Sequence, residues 1–152
     1  MISSVPLVEY KMCLDPTKCK KCPNQKECLL DVGAIILRED EKIALPDGRI
    51  LTVKAGFDFD GVSVPRIFWS STYHPFHHRT IAAGLGHDAL YASELLPRSE
   101  ADAIFRDLLN VWGVSWYTRN KMWLAVRAAG GGVWAQHDPE EVEYYRTLVT
   151  LE

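Results

Sequence analysis

The tightest constraint on how this chain folds is a pair of segments at helical spacing, each carrying half of a polar pair. They are Gly86-His87-Asp88-Ala89-Leu90-Tyr91 and Arg98-Ser99-Glu100-Ala101-Asp102-Ala103-Ile104-Phe105. From Arg79 to Ala92, Ile81, Leu85 and Leu90 stand among small Ala and Gly residues, which predicts a helix. From Ser99 to Trp112, the spacing of Ala101, Ile104, Phe105, Leu108 and Trp112 predicts a second. Ser93, Glu94 and Pro97 predict a reversal near Glu94 and Leu95, and an antiparallel helix pair then sets His87 opposite Asp102. Tyr91 lies one turn beyond His87 on the same face, while Asp88 projects about 100° around the helix. One aspartate can therefore orient the imidazole while the other faces a cation. The grouping has the composition of an active site.

The rest of the chain frames that pair. Its 152 residues suit one domain with a small appendage. The expected division is a cysteine-rich arm, 1–31, and a single α+β domain, 32–152, that is mainly helical. A small N-terminal β-meander is expected from the runs Val32 to Leu37, Lys42 to Leu45 and Arg49 to Val53, with Pro46-Asp47-Gly48 as a turn. Later helices are expected from Trp116 to Ala129, ended by Gly130-Gly131-Gly132, and from Pro139 to Val149. Phe68, Trp69 and Tyr73 are expected to pack on the core rather than form an exposed patch. A net charge of -3 gives no electrostatic reason to expect a nucleic-acid partner. No apolar run approaches the ~20 residues that span a bilayer, and Met1 to Pro6 lacks the regions of a signal peptide, so synthesis in a cytosol without classical export is expected.

All four cysteines fall in Cys13-x5-Cys19-x2-Cys22-x5-Cys28, which argues for one shared centre. Four thiolates can hold an iron-sulfur cluster or close a tetrahedral zinc site, and two disulfides are the third possibility. The long x5 arms and Pro23 fit a four-iron, four-sulfur cluster, and Lys18, Lys20, Lys21 and Lys26 would offset its negative charge. Using all four cysteines leaves no open coordination position, so the role expected of the centre is structural: a metal-bound N-terminal arm.

A histidine held by a carboxylate has a fixed tautomer and a supported imidazolium, so it can take a proton from water and return it to a leaving group. Hydrolysis is the reaction class. The loop Asp58-x-Asp60-Gly61-x-Ser63 can bring a second carboxylate to a cation held by Asp88, and oxygen ligands point to calcium or magnesium. Plainer roles stand beside these. Ser99 and Asp102 also fit a helix N-terminal capping arrangement, His87 can be a packed core histidine, and Asp60-Gly61 can be only a turn. His74, His77 and His78 form a separate cluster that reads as a polar turn.

The elements Phe59-Asp60-Gly61-Val62-Ser63-Val64-Pro65-Arg66-Ile67-Phe68-Trp69, His87-Asp88-Ala89-Leu90-Tyr91 and Ala101-Asp102-Ala103-Ile104-Phe105 resemble a phage and prophage domain family often encoded among tail genes. That likeness runs from Phe57 to about Trp134. It implies other phage tail proteins as partners, synthesis in a host cytoplasm and a place in the virion tail. The order Asp-Gly-x-Ser, His-Asp-x-x-Tyr, Asp-x-x-Phe is also similar to bacterial secreted phospholipases of the A-two class. That similarity implies His87 as general base, Asp102 as its orienting carboxylate with Tyr91 alongside, Asp60 and Asp88 as calcium ligands, and bacterial envelope lipid as substrate. The chain lacks the disulfide that those enzymes place beside the His-Asp pair, so a structural tail-tip protein without turnover is the alternative. A third reading comes from Ala83-Gly84-Leu85-Gly86-His87-Asp88, which is similar to the central motif of metal-dependent His-Asp phosphohydrolases. Those enzymes need a further upstream histidine on a partner helix, and His74 to His78 lie too close in sequence to supply it.

Overall fold

The computed structural model of the chain describes residues 8–11, 34–59 and 79–152. Within them the fold is mixed α/β: two small antiparallel sheets and four helices. In chain order the elements are β1 (Val8–Lys11), β2 (Ala34–Leu37), β3 (Glu41–Ala44), β4 (Ile50–Val53), β5 (Asp58–Phe59), α1 (Ile81–Ser93), α2 (Arg98–Val111), α3 (Trp116–Ala135), α4 (Pro139–Arg146) and β6 (Val149–Leu151).

The expected single meander is two sheets. One has the order β1-β2-β5 and the other β3-β4-β6. The Pro46-Asp47-Gly48 turn does join β3 to β4, with Gly48 at φ 93 and Ala44 opposite Ile50. β2, however, pairs Ile36 with Asp58 and Glu9 rather than with the hairpin. Val8–Lys11, in a segment without a legible period, is thus a strand because β2 offers it an edge. At the other end the expected helix to Val149 stops at Arg146, and Val149 to Leu151 pair with β4 instead. The alternation there, Val149 buried and Thr150 exposed, is that of a half-buried strand.

α1 is the central element. It packs between α2 and the second sheet, and the helix faces meet closely: a side chain on Gly86 would sit 3.1 Å from Leu108 Cδ1 and 3.4 Å from Ile43 Cδ1. α1 ends at Glu94, whose φ of 48 is left-handed, and the backbone N–H of Glu94 returns to the Leu90 carbonyl at 3.0 Å. The chain reverses over the next three residues into α2, as the sequence predicts. α2 is closed by Gly113, at φ 78, with Val114 N–H on the Leu109 carbonyl.

The run Gly130-Gly131-Gly132 does not end α3, which continues to Ala135. None of the three glycines takes a positive φ, so none acts as a helix stop. Their place is explained by what lies against them. A Cβ on Gly130 would stand 2.6 Å from the Tyr91 hydroxyl and 3.3 Å from Arg98 Nη1, whereas Gly132 has nothing within 4 Å.

Candidate functional site

The packing of α1, α2 and α3 buries one carboxylate and surrounds it with donors. Asp102, on α2, has no solvent exposure. Its Oδ1 lies 2.8 Å from His87 Nε2 and accepts the Tyr91 hydroxyl at 2.7 Å. Its Oδ2 accepts Arg127 Nη1, from α3, at 2.8 Å. Three side chains from two neighbouring helices thus converge on one group. His87 and Tyr91 both reach it because a spacing of four residues puts them on one helix face.

Local packing fixes the imidazole as well. Its ring centroid is 4.2 Å from that of Tyr91 and 4.9 Å from that of Phe105, so aromatic rings from both helices hold it. Tyr91 in turn packs edge-on against Trp134 at 5.1 Å. Arg98 Nη1 donates to the Arg127 carbonyl at 3.2 Å, which ties the first turn of α2 to the middle of α3. Only glycine at position 130 leaves room for the Tyr91 hydroxyl and the Arg98 guanidinium together.

The electrostatics follow from this arrangement. Burial opposes ionisation of Asp102, but the hydrogen bonds from His87, Tyr91 and Arg127 outweigh it and hold the carboxyl down at about 2. Burial likewise disfavours the charged form of His87, yet its bond to Asp102 and the negative charge of the nearby Asp88 prevail and raise it above 6.5. Burial, then the adjoining Asp102 carboxylate, push the Tyr91 phenol upward, so it stays a donor. A carboxylate can only accept. His87 Nε2 must therefore carry the hydrogen shared with Asp102, and in the neutral ring Nδ1 is the basic nitrogen.

Asp88 follows His87 in sequence and stands on the Nδ1 side, with Oδ1 3.8 Å away, beyond hydrogen-bond reach. Its side chain is mostly buried but less enclosed than Asp102. Among the described residues no group of three or more His, Cys, Asp or Glu side chains is placed to hold a metal. The expected second carboxylate, Asp60, lies outside the described residues. So do Cys13, Cys19, Cys22 and Cys28, the aromatic group Phe68, Trp69 and Tyr73, and His74, His77 and His78. Of the expected site residues, the structure brings together His87, Tyr91, Asp88 and Asp102.

The capping role for Asp102 is overturned. The N-cap of α2 is Pro97, without a side-chain cap bond, and the Asp102 carboxylate turns inward instead. Arg127, Arg98 and Gly130 were not foreseen in the sequence. Arg127 had a signal, since it is the one charge in Leu124-Ala125-Val126-Arg127-Ala128-Ala129, where Val126 and Ala125 are core residues. The glycine run had another: inside a helix, Gly can mark a close approach rather than a stop.

A mixed α/β domain with a buried His-Asp-Tyr-Arg centre is the class that fold and site define. Residues 36–126 match a family model described as a protein of unknown function, DUF1353, and the chain belongs to that family. The matched segment runs from β2 into α3 and includes His87, Tyr91 and Asp102. No curated protein and no solved structure matches the chain.

Proposed function

We propose that the protein is a phage tail or tail-tip component whose His87-Asp102 centre is a phospholipase-like, calcium-dependent hydrolase site acting on bacterial envelope lipid. The observation that carries the hydrolytic part is the 2.8 Å contact between His87 Nε2 and an ionised, triply hydrogen-bonded Asp102. In this reading His87 Nδ1 takes a proton from water, Asp102 stabilises the imidazolium through Nε2, and the imidazolium returns the proton to the departing alcohol. Tyr91 and Arg127 hold the Asp102 carboxylate so that it cannot rotate away. Asp88 and Asp60 are the residues for calcium, whose charge would stabilise the oxyanion formed at an ester carbonyl. The tail assignment draws on the likeness of the three motif segments to phage and prophage domains.

A second reading, a structural tail protein without turnover, is favoured by burial: His87 is 5% exposed and Asp102 not at all. A buried, fully hydrogen-bonded polar cluster can serve only to fix how three helices pack. Release of fatty acid from phospholipid vesicles separates the two. The hydrolase reading expects calcium-dependent release that falls at least ~100-fold in His87→Gln, the usual scale for loss of a general base. It also expects the rate to rise with pH as the raised pKa of His87 is passed. No release by the parent protein across calcium and lipid concentrations, or unchanged release by His87→Gln, would leave the scaffold.

A further inference from the structure

The end of α1 carries a second carboxylate-imidazole pair, which the hydrolytic reading leaves unused. Glu94 closes that helix at φ 48, a left-handed conformation that glycine or asparagine ordinarily supplies and that a Glu takes at a cost. What Glu adds there is its carboxylate: Oε1 stands 2.7 Å from Nδ1 of His137, the residue that follows the C-cap of α3. Both side chains are only partly buried, in contrast to the enclosed His87 and Asp102.

Spacing makes this pair one half of a double contact. Tyr91 and Glu94 lie three residues apart at the end of α1, and Trp134 and His137 three apart at the end of α3. Tyr91 meets Trp134 edge-on, with ring centres 5.1 Å apart and planes at 84°, while Glu94 meets His137. The His137 ring in turn lies 5.4 Å from that of Trp134. Gly130, one turn before Trp134, clears the space that the Tyr91 hydroxyl takes. The Tyr91 ring is thus bounded on the α3 side by Gly130 and Trp134, and its hydroxyl reaches Asp102 Oδ1 at 2.7 Å. What keeps the Trp134 ring against Tyr91 is the corner that follows it, where His137 is tied to Glu94 on the helix that carries Tyr91.

We propose that Glu94, His137 and Trp134 are positioning residues: the Glu94-His137 pair holds the Trp134 ring against Tyr91 and so keeps the Tyr91 hydroxyl on the Asp102 carboxylate. The benefit to catalysis rests on the hydrolase reading, in which Asp102 must stay in place to orient His87. The clamp itself stands on geometry alone. Trp134 and His137 lie beyond the segment that matches the family model, whereas Tyr91, Glu94 and Asp102 lie within it. Loss of the clamp leaves Arg127 on Asp102 Oδ2, so the expected effect is a freer Tyr91 rather than a collapsed centre.

The test uses the full chain and two readings, thermal unfolding and proton NMR of the Tyr91 hydroxyl, whose signal is identified by its loss in Tyr91→Phe. A bonded hydroxyl in an enclosed site exchanges slowly with water. Glu94→Gly separates the two roles of residue 94, because glycine relieves the left-handed backbone and removes the carboxylate. The expected result is a melting temperature close to or above that of the parent, together with Tyr91 hydroxyl exchange on the order of 10-fold faster. His137→Ala should speed exchange alike, and His137→Asn, whose amide N–H can stand near the place of Nδ1, should restore slow exchange. Parental exchange in both Glu94→Gly and His137→Ala overturns the inference and makes residue 94 a helix stop alone. Faster exchange with a clearly lower melting temperature in Glu94→Gly, or no rescue by His137→Asn, also overturns it, since general loosening then suffices. So does a parent hydroxyl that exchanges too fast to observe. No lipid enters the measurement, so failure to hydrolyse lipid strikes the hydrolase reading and leaves the clamp standing.

Discussion

α1 and α3 are both long helices that contribute to one polar centre, but they do so from opposite conditions. Eleven of the 13 residues of α1 are buried, against three of the 20 in α3. In α1 the polar side chains His87 and Tyr91 are enclosed by packing on all sides, so their hydrogen bonds are obligatory. α3 is a surface helix that sends Arg127 to the Asp102 carboxylate and leaves Trp116, Tyr117, Leu124 and Val133 exposed. The enclosed helix therefore carries the titrating group, while the surface helix supplies counter-charge and clearance. Substitutions at the centre should be costly on both helices, and those a turn away should be costly only on α1.

Asp102→Ala breaks that arrangement most severely. It leaves His87, Tyr91 and Arg127 without their shared acceptor in an enclosed site, and a loss of about 3–5 kcal/mol in urea unfolding is expected. Retention of near-parental stability would show that the three donors find other partners readily.

The glycines of α3 sharpen the comparison, because two positions on one helix should respond with opposite sign. Gly130→Ala puts a methyl group 2.6 Å from the Tyr91 hydroxyl, so Tyr91 or the helix must shift, at about 1–3 kcal/mol. Gly132→Ala meets no atom within 4 Å and should stabilise by about 0.5–1 kcal/mol, the helix-propensity difference. Thermal unfolding of the two variants side by side reads both.

The pH dependence of stability is a gentler probe of the same centre. Asp102 is held below its unfolded value of 3.8, so its contribution is present above that value and is lost as pH falls towards about 2. His87 is raised above 6.5, so its contribution is complete below 6.5 and is lost as pH rises through the folded value. Their joint contribution should be greatest between about pH 4 and 6.5. In Asp102→Asn the slope on both sides of that window should diminish.

Sequence reasoning located the helix pair and its partners because both halves obey one period. Ile81, Leu85 and Leu90 mark the face of α1, and Ala101, Ile104, Phe105 and Leu108 that of α2, so the opposition of His87 and Asp102 follows from a short reversal. The third wall of the centre was not legible. Arg127 lies 25 residues from Asp102, and nothing local in a helix says which side chain a distant helix will meet. The glycine run misled for a related reason: its effect on α3 depends on Tyr91, a residue of another helix. Strand pairing was lost in the same way, since β1 and β6 are strands only because β2 and β4 present free edges.

The central claim is that His87 is an oriented base, with Nε2–H given to Asp102 and Nδ1 left to titrate. Nitrogen-15 NMR of the labelled imidazole tests it directly. The account predicts protonated Nε2 in the neutral ring and a pKa above 6.5 that falls in Asp102→Asn, where burial is less opposed. A neutral ring protonated at Nδ1, or a pKa at or below 6.5 in the parent protein, would contradict it.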